Sequence, residues 1–535
     1  MTDDVLKIAL EQFEESASRS AFSRTAAHED IDFGRLGNQW PDQIRKLREE
    51  EGRPCLTINK IPAFVHQVVN DARQNKPAIK ISPVDNDSDP ETARVIAGLI
   101  RSIERGSSAD VAYDTAIEHA VSGGFGFFRV AIDYAGQDSF ALEARIERVP
   151  NPLMVHWDTN STEFDASDWG YAFVSDFLTE REFTARYPKA DKSSFEGGDP
   201  RGFEGAWIDD KSIRVAEYWY RTEKTRPILL LSNGKVVRRD VLPTTVRQMV
   251  DAGGLDVGRA TDGELVQLYL DATGLTVQRE REARFHEVKR CVLNGKEVLD
   301  EDVWPGSMIP ICPVWGEEVI LDGRRHFRSL IRDARDPQAM FNFWRTASTE
   351  LVALAPKAPW VGQQGFVPKG HEEKWATANT RSYAYLEYAT GGQPPQRQPF
   401  AGVPAGALQE ALNASDDIKA TIGIYDSSLG ARSNETSGRA ILARQREADT
   451  SNFHFVDNLS RAIAYAGRVL VEIIPSIYSP QETIRILGDD QAEEVVKLTT
   501  QAGGAGTETG PGGEPKERLY NLSVGHYDVA VSSGP

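Results

Sequence analysis

Few residues of this chain stand at a spacing that could support catalysis. The glycine-rich run SGGFGFF (122–128) precedes a predicted strand, whereas the glycines of a dinucleotide fingerprint follow one. At 371–373 the sequence reads HEE, but no second histidine lies at metal-ligand spacing, so a solvated loop explains it better. The acidic pairs at 489–490 and 493–494 are typical of a solvated face. These patterns predict no catalytic residue, no cofactor and no metal site.

Motifs of several enzyme classes are also missing from the sequence. It contains no GxxxxGK[ST] phosphate loop, no HExxH zinc motif and no GxSxG nucleophile elbow. Without a phosphate loop an ATP-driven motor is disfavoured. We therefore expect a protein that is not an enzyme.

Composition indicates a large folded protein that does not grip nucleic acid over a broad surface. The chain has 535 residues, of which 40% are hydrophobic, enough for several domains with real cores. Its 61 basic and 80 acidic residues give a net charge of −19. This balance argues against an extended basic face but leaves room for contacts through single arginines.

The cysteines and the chain start favour a reducing compartment. Cys55, Cys291 and Cys312 form no CxxC pair, so neither a zinc ribbon nor a redox motif is supported. The first twenty residues are polar and lack the apolar core of a signal peptide. No apolar run approaches the ~20 residues of a membrane span. We expect no membrane partner.

A polar segment, GARSNETSGRAILA (430–443), leads into the longest predicted helix. Apolar residues recur there at helical spacing. They are Leu459, Ile463, Ala466, Leu470, Ile473 and Ile477. Thr436 or Ser437 could cap a helix that extends to Tyr478, and at ~1.5 Å per residue it would approach ~60 Å. A buried core helix and a strut that carries the loop both fit. Gly467, beside the stripe, predicts a bend or a close crossing.

The first 325 residues read as a mixture of helices and hairpins. Helices are predicted from Ile61 and from Pro90, the latter with Asp89 as its cap, and Ser107 or Ser108 should cap the next. Alternation predicts a hairpin joined by AGQD (135–138), and Asn-Gly turns predict two more. Polar surface helices are predicted over residues 1–50, and further helices over 243–275. Near the C-terminus, LYNLSVGHYDVAV predicts a final strand pair. The run TTQAGGAGTETGPGG is expected to be mobile.

A small module is predicted between two helices. Asp336-Pro337 reads as a cap followed by proline, and the helix should end near Pro356, with one apolar face. That face comprises Phe341, Trp344, Ala347, Ser348 and Leu351. Residues 356–405 are rich in Pro, Gly and Gln and contain a strand-like SYAYLEY, and helical character resumes from about 406 to 423. The pattern is typical of a two-helix stalk with a module at its end.

Five segments, in order, carry a family resemblance. They are RPCLTINKIPAFVHQVVNDARQNKPAIKISPV, AYDTAIEHAVSGGFGFFRV, RDARDPQAMFNFWRTASTELVALAPKAPWV, SNETSGRAILARQREADTSNFHFVDNLSRAIAYAGRVLVEIIPSIY and GHYDVAVSSGP. Together they resemble the P22-like portal proteins of tailed bacteriophages over most of residues 35–535. Each segment alone is weak evidence for the family, whereas the order of the five segments along the chain is specific to it.

The resemblance implies an α+β portal fold and a role as a DNA channel. Family members form a ring, typically a dodecamer, at one vertex of the phage head, and double-stranded DNA is packaged and ejected through it. Implied partners are the terminase large subunit, then the tail adaptor, with capsid and scaffolding proteins around the ring. Assembly in the host cytoplasm and a final place in the virion follow from the same resemblance.

The resemblance also divides the chain into named parts. These are an N-terminal polar helical arm (1–34), an α/β wing (35–325), stem helix 1 (326–356), a clip (357–405), stem helix 2 (406–424), a tunnel loop (425–438), a long helix (439–478) and a return to the wing (479–535). Family members usually continue into a helical crown, sometimes with a barrel, whereas this sequence stops at Pro535. We expect a short variant or a truncated chain.

Two groups of candidate site residues follow. Channel-lining candidates are Ser427, Ser428, Arg432, Asn434, Glu435, Arg439, Arg444 and Arg446. An intersubunit salt bridge is an equal alternative for the last three, whereas Arg432, in a polar loop, favours the lumen. Clip candidates for partner contacts are Lys357, Lys369, Lys374, Arg381 and Arg397, for which solvated charges are the alternative. The clip strand could also pair with a neighbouring subunit.

Other function classes remain as alternatives. A head-tail adaptor or another structural virion protein would fit the absence of catalytic motifs, but adaptors are typically much shorter chains. A packaging enzyme such as a terminase needs a phosphate loop and clustered carboxylates for metal ions, and the sequence supplies neither.

Overall fold

The structure is a computed structural model of the chain. It describes residues 2–75, 77–84, 88–192, 212–234, 236–240, 242–243, 246, 261–354, 360–378, 381–397, 405–424, 452–478, 483–488, 493–498, 519–520, 522 and 526–532. Helices and sheets both contribute to the core, which confirms the α+β class. Within these ranges no helix is both long enough and apolar enough to span a bilayer.

The main core forms where helices cover a three-stranded antiparallel sheet. Its strands, in spatial order, are β10 (Ile311–Trp315), β2 (Phe125–Tyr134) and β3 (Leu142–Arg148). The helices around it are α3 (Ile61–Gln74), α4 (Pro90–Gly106), α5 (Ala109–Gly123) and α11 (Phe453–Ile477). The predicted AGQD hairpin is confirmed, because Val130 pairs with Ile146 and buried positions alternate along β3.

The cap predicted for α4 is confirmed and the cap of α5 is corrected. Asp89 accepts hydrogen bonds from the backbone N–H groups of Glu91 and Thr92, both at 3.3 Å. Ser108 does occupy the N-cap position of α5, but it has φ = 52° and its side chain makes no capping bond. Ser107 Oγ instead donates to the carbonyl of Ile103 at 2.6 Å, so it ends α4.

Helix α11 lies at the centre of the core, as its apolar stripe predicts. All six stripe residues are buried, and Pro475 lies inside the helix near its end. Gly467 marks a close crossing, since a Cβ there would lie 2.7 Å from Val529 Cγ1 and 3.3 Å from Ile79 Cγ2. Those two residues belong to the small sheet formed by β1 (Ala78–Pro83) and β18 (Tyr527–Ser532).

A second, six-stranded sheet contains both Asn-Gly hairpins. Its strands are β4 (Val155–Trp157), β5 (Tyr171–Thr179), β6 (Ser212–Leu231), β8 (Val277–Leu293) and β9 (Val298–Val303), with β7 (Val236–Arg238) paired to β6. Leu230 pairs with Val236 and Leu293 with Val298. Gly234 and Gly295 take the positive φ angles, 82° and 86°, that these turns require.

Shorter helices and strands complete the fold. They are a π-helical turn (Asp32–Leu36), α2 (Asp42–Glu50), a 3-10 turn (Pro152–Met154), α6 (Glu180–Arg186), α7 (Asp262–Thr273) and the hairpin of β11 (Glu317–Leu321) with β12 (Arg324–Arg328). Helix α7 confirms part of the helical stretch predicted over 243–275. The three cysteines are free thiols.

The predicted C-terminal strand pair is wrong. LYNLSVGHYDVAV does contain two strands, β17 (Leu519–Tyr520) and β18, but they belong to different sheets. β17 pairs in parallel with β16 (Glu493–Leu498), which also pairs with β15 (Thr483–Leu487), whereas β18 pairs with β1. Alternation identified the strands but carries no information about partners far away in the chain. The run predicted to be mobile lies outside the described residues.

The N-terminal helix is more buried than its polar sequence predicts. α1 (Thr2–Ile31) buries Phe13 and a row of small or polar side chains. Ser16 Oγ donates to the carbonyl of Trp157 at 2.7 Å, and Arg24 Nη1 donates to that of Val155 at 2.9 Å. The prediction of a surface helix was wrong because side chains that bond to backbone carbonyls can be buried without being apolar.

Candidate functional site

The predicted two-helix stalk is present in the structure. Helices α8 (Leu330–Leu354) and α10 (Ala405–Ile422) pack against each other and flank a module that spans residues 360–397. The start predicted at Asp336-Pro337 is wrong, since both residues lie inside α8. The cap is Ser329, whose Oγ accepts from Arg332 N–H at 3.2 Å and donates to Asp30 of α1 at 2.7 Å.

The face that α8 buries carries a row of polar side chains and overlaps only partly with the predicted apolar face, of which Phe341 and Ser348 are buried. Gln338, Asn342 and Thr346 are at most 1% exposed, whereas Leu351 is 36% exposed. These three side chains lie one helical turn apart and accept hydrogen bonds from alternate backbone N–H groups of an extended segment, residues 54–60, which we call the strap. The bonds are Lys60 N to Gln338 Oε1 at 3.1 Å, Ile58 N to Asn342 Oδ1 at 3.0 Å and Leu56 N to Thr346 Oγ1 at 3.2 Å.

The match between helix and strap is geometrical. Four residues of helix rise about 6.0 Å, close to the roughly 6.6 Å spanned by two residues of extended chain. Arg48 and Arg53 reinforce the junction by binding Glu350 at 2.9 and 2.5 Å, and these hydrogen bonds hold the pKa of Glu350 below its usual range. The strap thus fixes stem helix α8 to the main core.

The module is small and loosely covered. A two-residue strand pair, β13 (Trp360–Val361) with β14 (Gln396–Arg397), closes its base, and α9 (Glu372–Ala376) is its helix. Trp375 is the hub: its ring lies 5.3 Å from that of Trp360 and 5.2 Å from that of Phe366. No side chain described between 360 and 397 is fully buried.

The strand predicted for SYAYLEY (382–388) is wrong, because the described segment wraps around Trp375 without pairing. Trp375 Nε1 donates to the carbonyl of Glu387 at 2.8 Å, and Tyr383 OH lies 2.6 Å from Thr377 Oγ1. Tyr385 and Tyr388 point outward, 70% and 45% exposed. Alternating aromatics matched a strand, but their partners are the ring and backbone of the module itself.

Four of the five clip candidates are exposed on this module. They are Lys369, Lys374, Arg381 and Arg397, whereas Lys357 lies outside the described residues. The neighbouring HEE run agrees with a solvated interpretation, since both glutamates are exposed and His371 Nδ1 lies 3.6 Å from Glu387. The module therefore presents cations and tyrosines together, as a binding surface would.

All eight channel-lining candidates lie outside the described residues. They are Ser427, Ser428, Arg432, Asn434, Glu435, Arg439, Arg444 and Arg446, and the caps suggested at Thr436 and Ser437 lie there too. The ends of this segment are close together, because Asn452 Nδ2 donates to the carbonyl of Ile422 at 3.2 Å. Asn452 is the N-cap of α11, which interrupts the unbroken helix predicted from Arg439.

Two cavities of the described fold surround an ion-pair brace between the three-stranded and the six-stranded sheet. Cavities of about 590 and 680 Å³ share Arg129, Glu217 and Arg290 in their walls. Glu217 binds Arg129 Nη1 and Arg290 Nη2, both at 3.0 Å. Burial would raise the pKa of Glu217, but the two arginines hold it below its usual range. A carboxylate committed to two cations braces the sheets and is poorly placed for acid–base chemistry.

No group of three or more metal-ligating side chains is found in the described ranges. The residues that sequence reasoning missed are those of the stem: the cap Ser329 and the polar row of Gln338, Asn342 and Thr346. Their signal was available as amide and hydroxyl side chains at steps of four. Polar residues on a helix usually face solvent, so this signal does not by itself indicate a buried row.

Comparison of the sequence with known proteins identifies a family. The sequence pattern of the Phage P22-like portal protein family matches residues 10–535, which is nearly the whole chain. The chain is also 24% identical, over 556 residues of alignment, to the portal protein of Acyrthosiphon pisum secondary endosymbiont phage 1. That alignment covers 98% of this chain and 72% of the relative. The family is one of structural virion components. This chain therefore belongs to the family of P22-like phage portal proteins.

Proposed function

We propose that this chain is the subunit of a ring at one capsid vertex, through which double-stranded DNA is packaged and later ejected. The observation that carries the proposal is the family match over residues 10–535. It is supported by a pair of stem helices that hold an exposed module away from the core. A ring built from one chain needs two complementary surfaces on each copy, and such a projecting stem offers them.

The parts of the ring map onto the fold. The sheets and helices between 35 and 325, with the return at 479–535, form the wing. Helices α8 and α10 form the stem, corresponding to 326–356 and 406–424. The module within 357–405 is the clip. The tunnel loop is 425–438, and the helix region after it, 439–478, leads back through α11 into the wing. Helix α1 and the residues to 34 form the arm, which is docked on the wing.

The lumen has to let DNA slide. Each phosphate that a protein neutralises adds salt-dependent affinity, so a continuous basic lining would hold the duplex too tightly. A chain of net charge −19 with isolated arginines suits this demand. We assign Arg432 to the lumen, with Ser427, Ser428, Asn434 and Glu435 beside it. Arg439, Arg444 and Arg446 line the channel or pair with the neighbouring subunit.

The clip is the docking surface for the terminase motor during packaging and for the tail adaptor afterwards. Lys369, Lys374, Arg381 and Arg397 are its exposed cations, and Lys357 stands at its edge in sequence. Because the described module has no buried side chain, much of its aromatic surface becomes covered only on binding.

A packaging assay tests this function. A phage that carries Lys374→Glu and Arg381→Glu in the clip should assemble heads that contain the ring but little nuclease-protected DNA. The matched control reverses two exposed arginines of β8, Arg279→Glu and Arg281→Glu, and should package normally. If the clip variant packages DNA normally, Lys374 and Arg381 do not take part in the contact with the motor. Heads that fill equally well without this chain would refute the function.

A further inference from the structure

Both stem helices expose large apolar side chains on one side. α8 buries Gln338, Asn342 and Thr346, and it exposes Met340 and Phe343 by 47% and 46%. Met340, Phe343, Ala347 and Leu351 follow one another at steps of three, four and four, which places them on one stripe. This stripe lies roughly opposite Asn342, which binds the strap. We call these four residues the α8 stripe.

Helix α10 buries Ile418 and Ile422 in the main core near its end, whereas its earlier turns show the same arrangement as α8 with smaller residues. It buries Ala407, Ala411 and Ala414 against the stem and exposes Leu408 and Leu412 by 46% and 61%. The two leucines lie one turn apart, and Lys419 lies on the same face at helical spacing. We call these three residues the α10 stripe. A helix that faces water permanently would carry these residue types in the opposite arrangement.

One lysine fixes the relative height of the two helices. Lys60 Nζ lies 2.6 Å from Ser415 Oγ and 4.1 Å from the centroid of the Phe341 ring, so Phe341 of α8 and Ser415 of α10 are level. The helices run in opposite directions, because the start of α8, at Ile331 and Ala334, and the end of α10, at Ile418 and Ile422, both lie in the main core. Each step forward on α8 is thus level with a step backward on α10, at the same rise per residue.

This register aligns the two stripes. Phe343, two residues beyond Phe341, is level with about residue 413 and hence with Leu412. Ala347 is level with about residue 409 and hence with Leu408. The exposed carboxylate of Asp336, at the start of the α8 stripe, is level with about residue 420 and hence with Lys419. Apolar groups therefore match at two heights and opposite charges at a third.

We infer that the α8 stripe of one copy packs on the α10 stripe of the next copy, as the two halves of one heterologous interface. The inference rests on the ring proposed above. Rotation about an axis roughly parallel to the stem keeps every residue at its height, so groups that are level within one chain meet between chains. Within a chain the stripes do not cover each other, since Met340, Phe343, Leu408 and Leu412 all remain exposed. A second copy covers both stripes at once. Asp336 then approaches Lys419 of the neighbour, whose Nζ already lies 3.3 Å from Asp416 of its own chain, and adds a second carboxylate.

Cross-linking of two singly substituted full-length chains tests this interface. In a Cys55→Ser background, Phe343→Cys and Leu412→Cys carry different tags and are co-expressed. After mild oxidation we expect a reducible dimer that contains both tags. Neither variant expressed alone should cross-link, because a heterologous interface never brings two copies of one position together. Cys291 and Cys312 are buried and should not contribute.

The controls separate this inference from the ring proposal. Thr349→Cys, exposed on another side of α8, should not cross-link with Leu412→Cys. Circular dichroism and electron microscopy of each variant check the fold and the ring. Rings without the mixed dimer, or dimers from a single variant, would overturn the stripe interface and leave the ring intact. Failure of the unsubstituted chain to assemble would overturn the ring proposal and the interface with it.

Discussion

Gly126 shows how tightly β2 and α5 are packed. A Cβ at this position would lie 2.8 Å from the carbonyl carbon of Ala116 and closer still to its oxygen. The obstacle is helix backbone, which cannot rotate away as a side chain can. Only glycine allows the strand to approach the helix this closely.

Gly126→Ala should therefore destabilise the fold strongly. We expect a loss of about 1–3 kcal/mol or more in the free energy of unfolding, because the added methyl overpacks a rigid site. Denaturant titration of the purified protein measures it. Gly263→Ala is the matched control, since a Cβ there meets nothing within 4 Å. Equal stability of the two variants would contradict the packing described for β2 and α5.

His156 links stability to pH. It is fully buried beside Phe13 of α1, their ring centroids 4.2 Å apart. Burial lowers the pKa of His156 well below its usual range, and Arg24 and Arg214 lower it further. The folded protein therefore keeps this ring neutral at a pH where the unfolded chain binds a proton. The stability contributed by the neutral ring is lost as the pH falls below about 6.5, the pKa of an unfolded histidine.

The variant His156→Gln should consequently show a shallower loss of stability on acidification. Parent and variant are compared by denaturant titration at several pH values. Between pH 7 and 8 their stabilities should run parallel. Below about pH 6.5 the parent should lose up to about 1.4 kcal/mol more per pH unit. Parallel curves throughout the acid range would show that the histidine is protonated in the fold or does not contribute.

Some of these residue-level contacts could be predicted from residue types, and others could not. Asp89 was recognisable as a cap because a proline follows it, and Gly467 as a crossing because it interrupts an apolar face. Ser329 was not recognised, since a more familiar Asp-Pro pair lies seven residues further on. The contacts of Gly126 depend on which helix covers its strand, which the sequence does not state.

At the scale of secondary-structure elements, the strap is the clearest connection between α8 and the main core in the described fold. Three polar side chains of α8 satisfy three backbone N–H groups of an extended segment that has no strand partner. Gln338 Nε2 also donates to the carbonyl of Ile58 at 2.9 Å, and Asn342 Nδ2 donates to Gln39 Oε1 at 2.6 Å. Buried groups that bind each other in this way fix the position of the stem.

Asn342→Leu should loosen the strap. The change leaves the Ile58 N–H group without its acceptor, and an unsatisfied buried group costs roughly 1–3 kcal/mol. Hydrogen exchange should accelerate at residues 56–60 in particular. The exposed substitution Thr349→Ala on the same helix should leave exchange and stability unchanged. Slow exchange at Ile58 in the leucine variant would mean that the amide of residue 342 does not hold the strap.

Helices and hairpins were predictable because their patterns are local. The hairpins with Asn-Gly turns and the stripe of α11 were both found where periodicity placed them. Pairings such as β1 with β18 were not predictable, since each strand reads the same whichever edge it joins. The burial of the polar row of α8 was not predictable for a related reason. Its hydrogen-bond partners, residues 56–60, lie nearly 300 positions away in the chain.

The whole molecule is acidic, with a net charge of −19. We expect its assembled ring to bind duplex DNA weakly at physiological salt, within the ~10⁻⁴–10⁻⁶ M range of non-specific contacts or weaker. Arg432→Ala should leave ring assembly unchanged and alter the amount of DNA retained in heads. Fluorescence anisotropy of the ring and nuclease-protected DNA from particles measure the two effects. Tight binding that persists at high salt would contradict a channel through which DNA slides.

The central claim is that copies of this chain close into a ring, and electron microscopy of the purified protein, with mass from light scattering, tests it most directly. We expect rings of one size with a central opening wide enough for duplex DNA, and a mass that is an integral multiple of 59.2 kDa. A protein that remains a single copy at every concentration and salt would contradict the account.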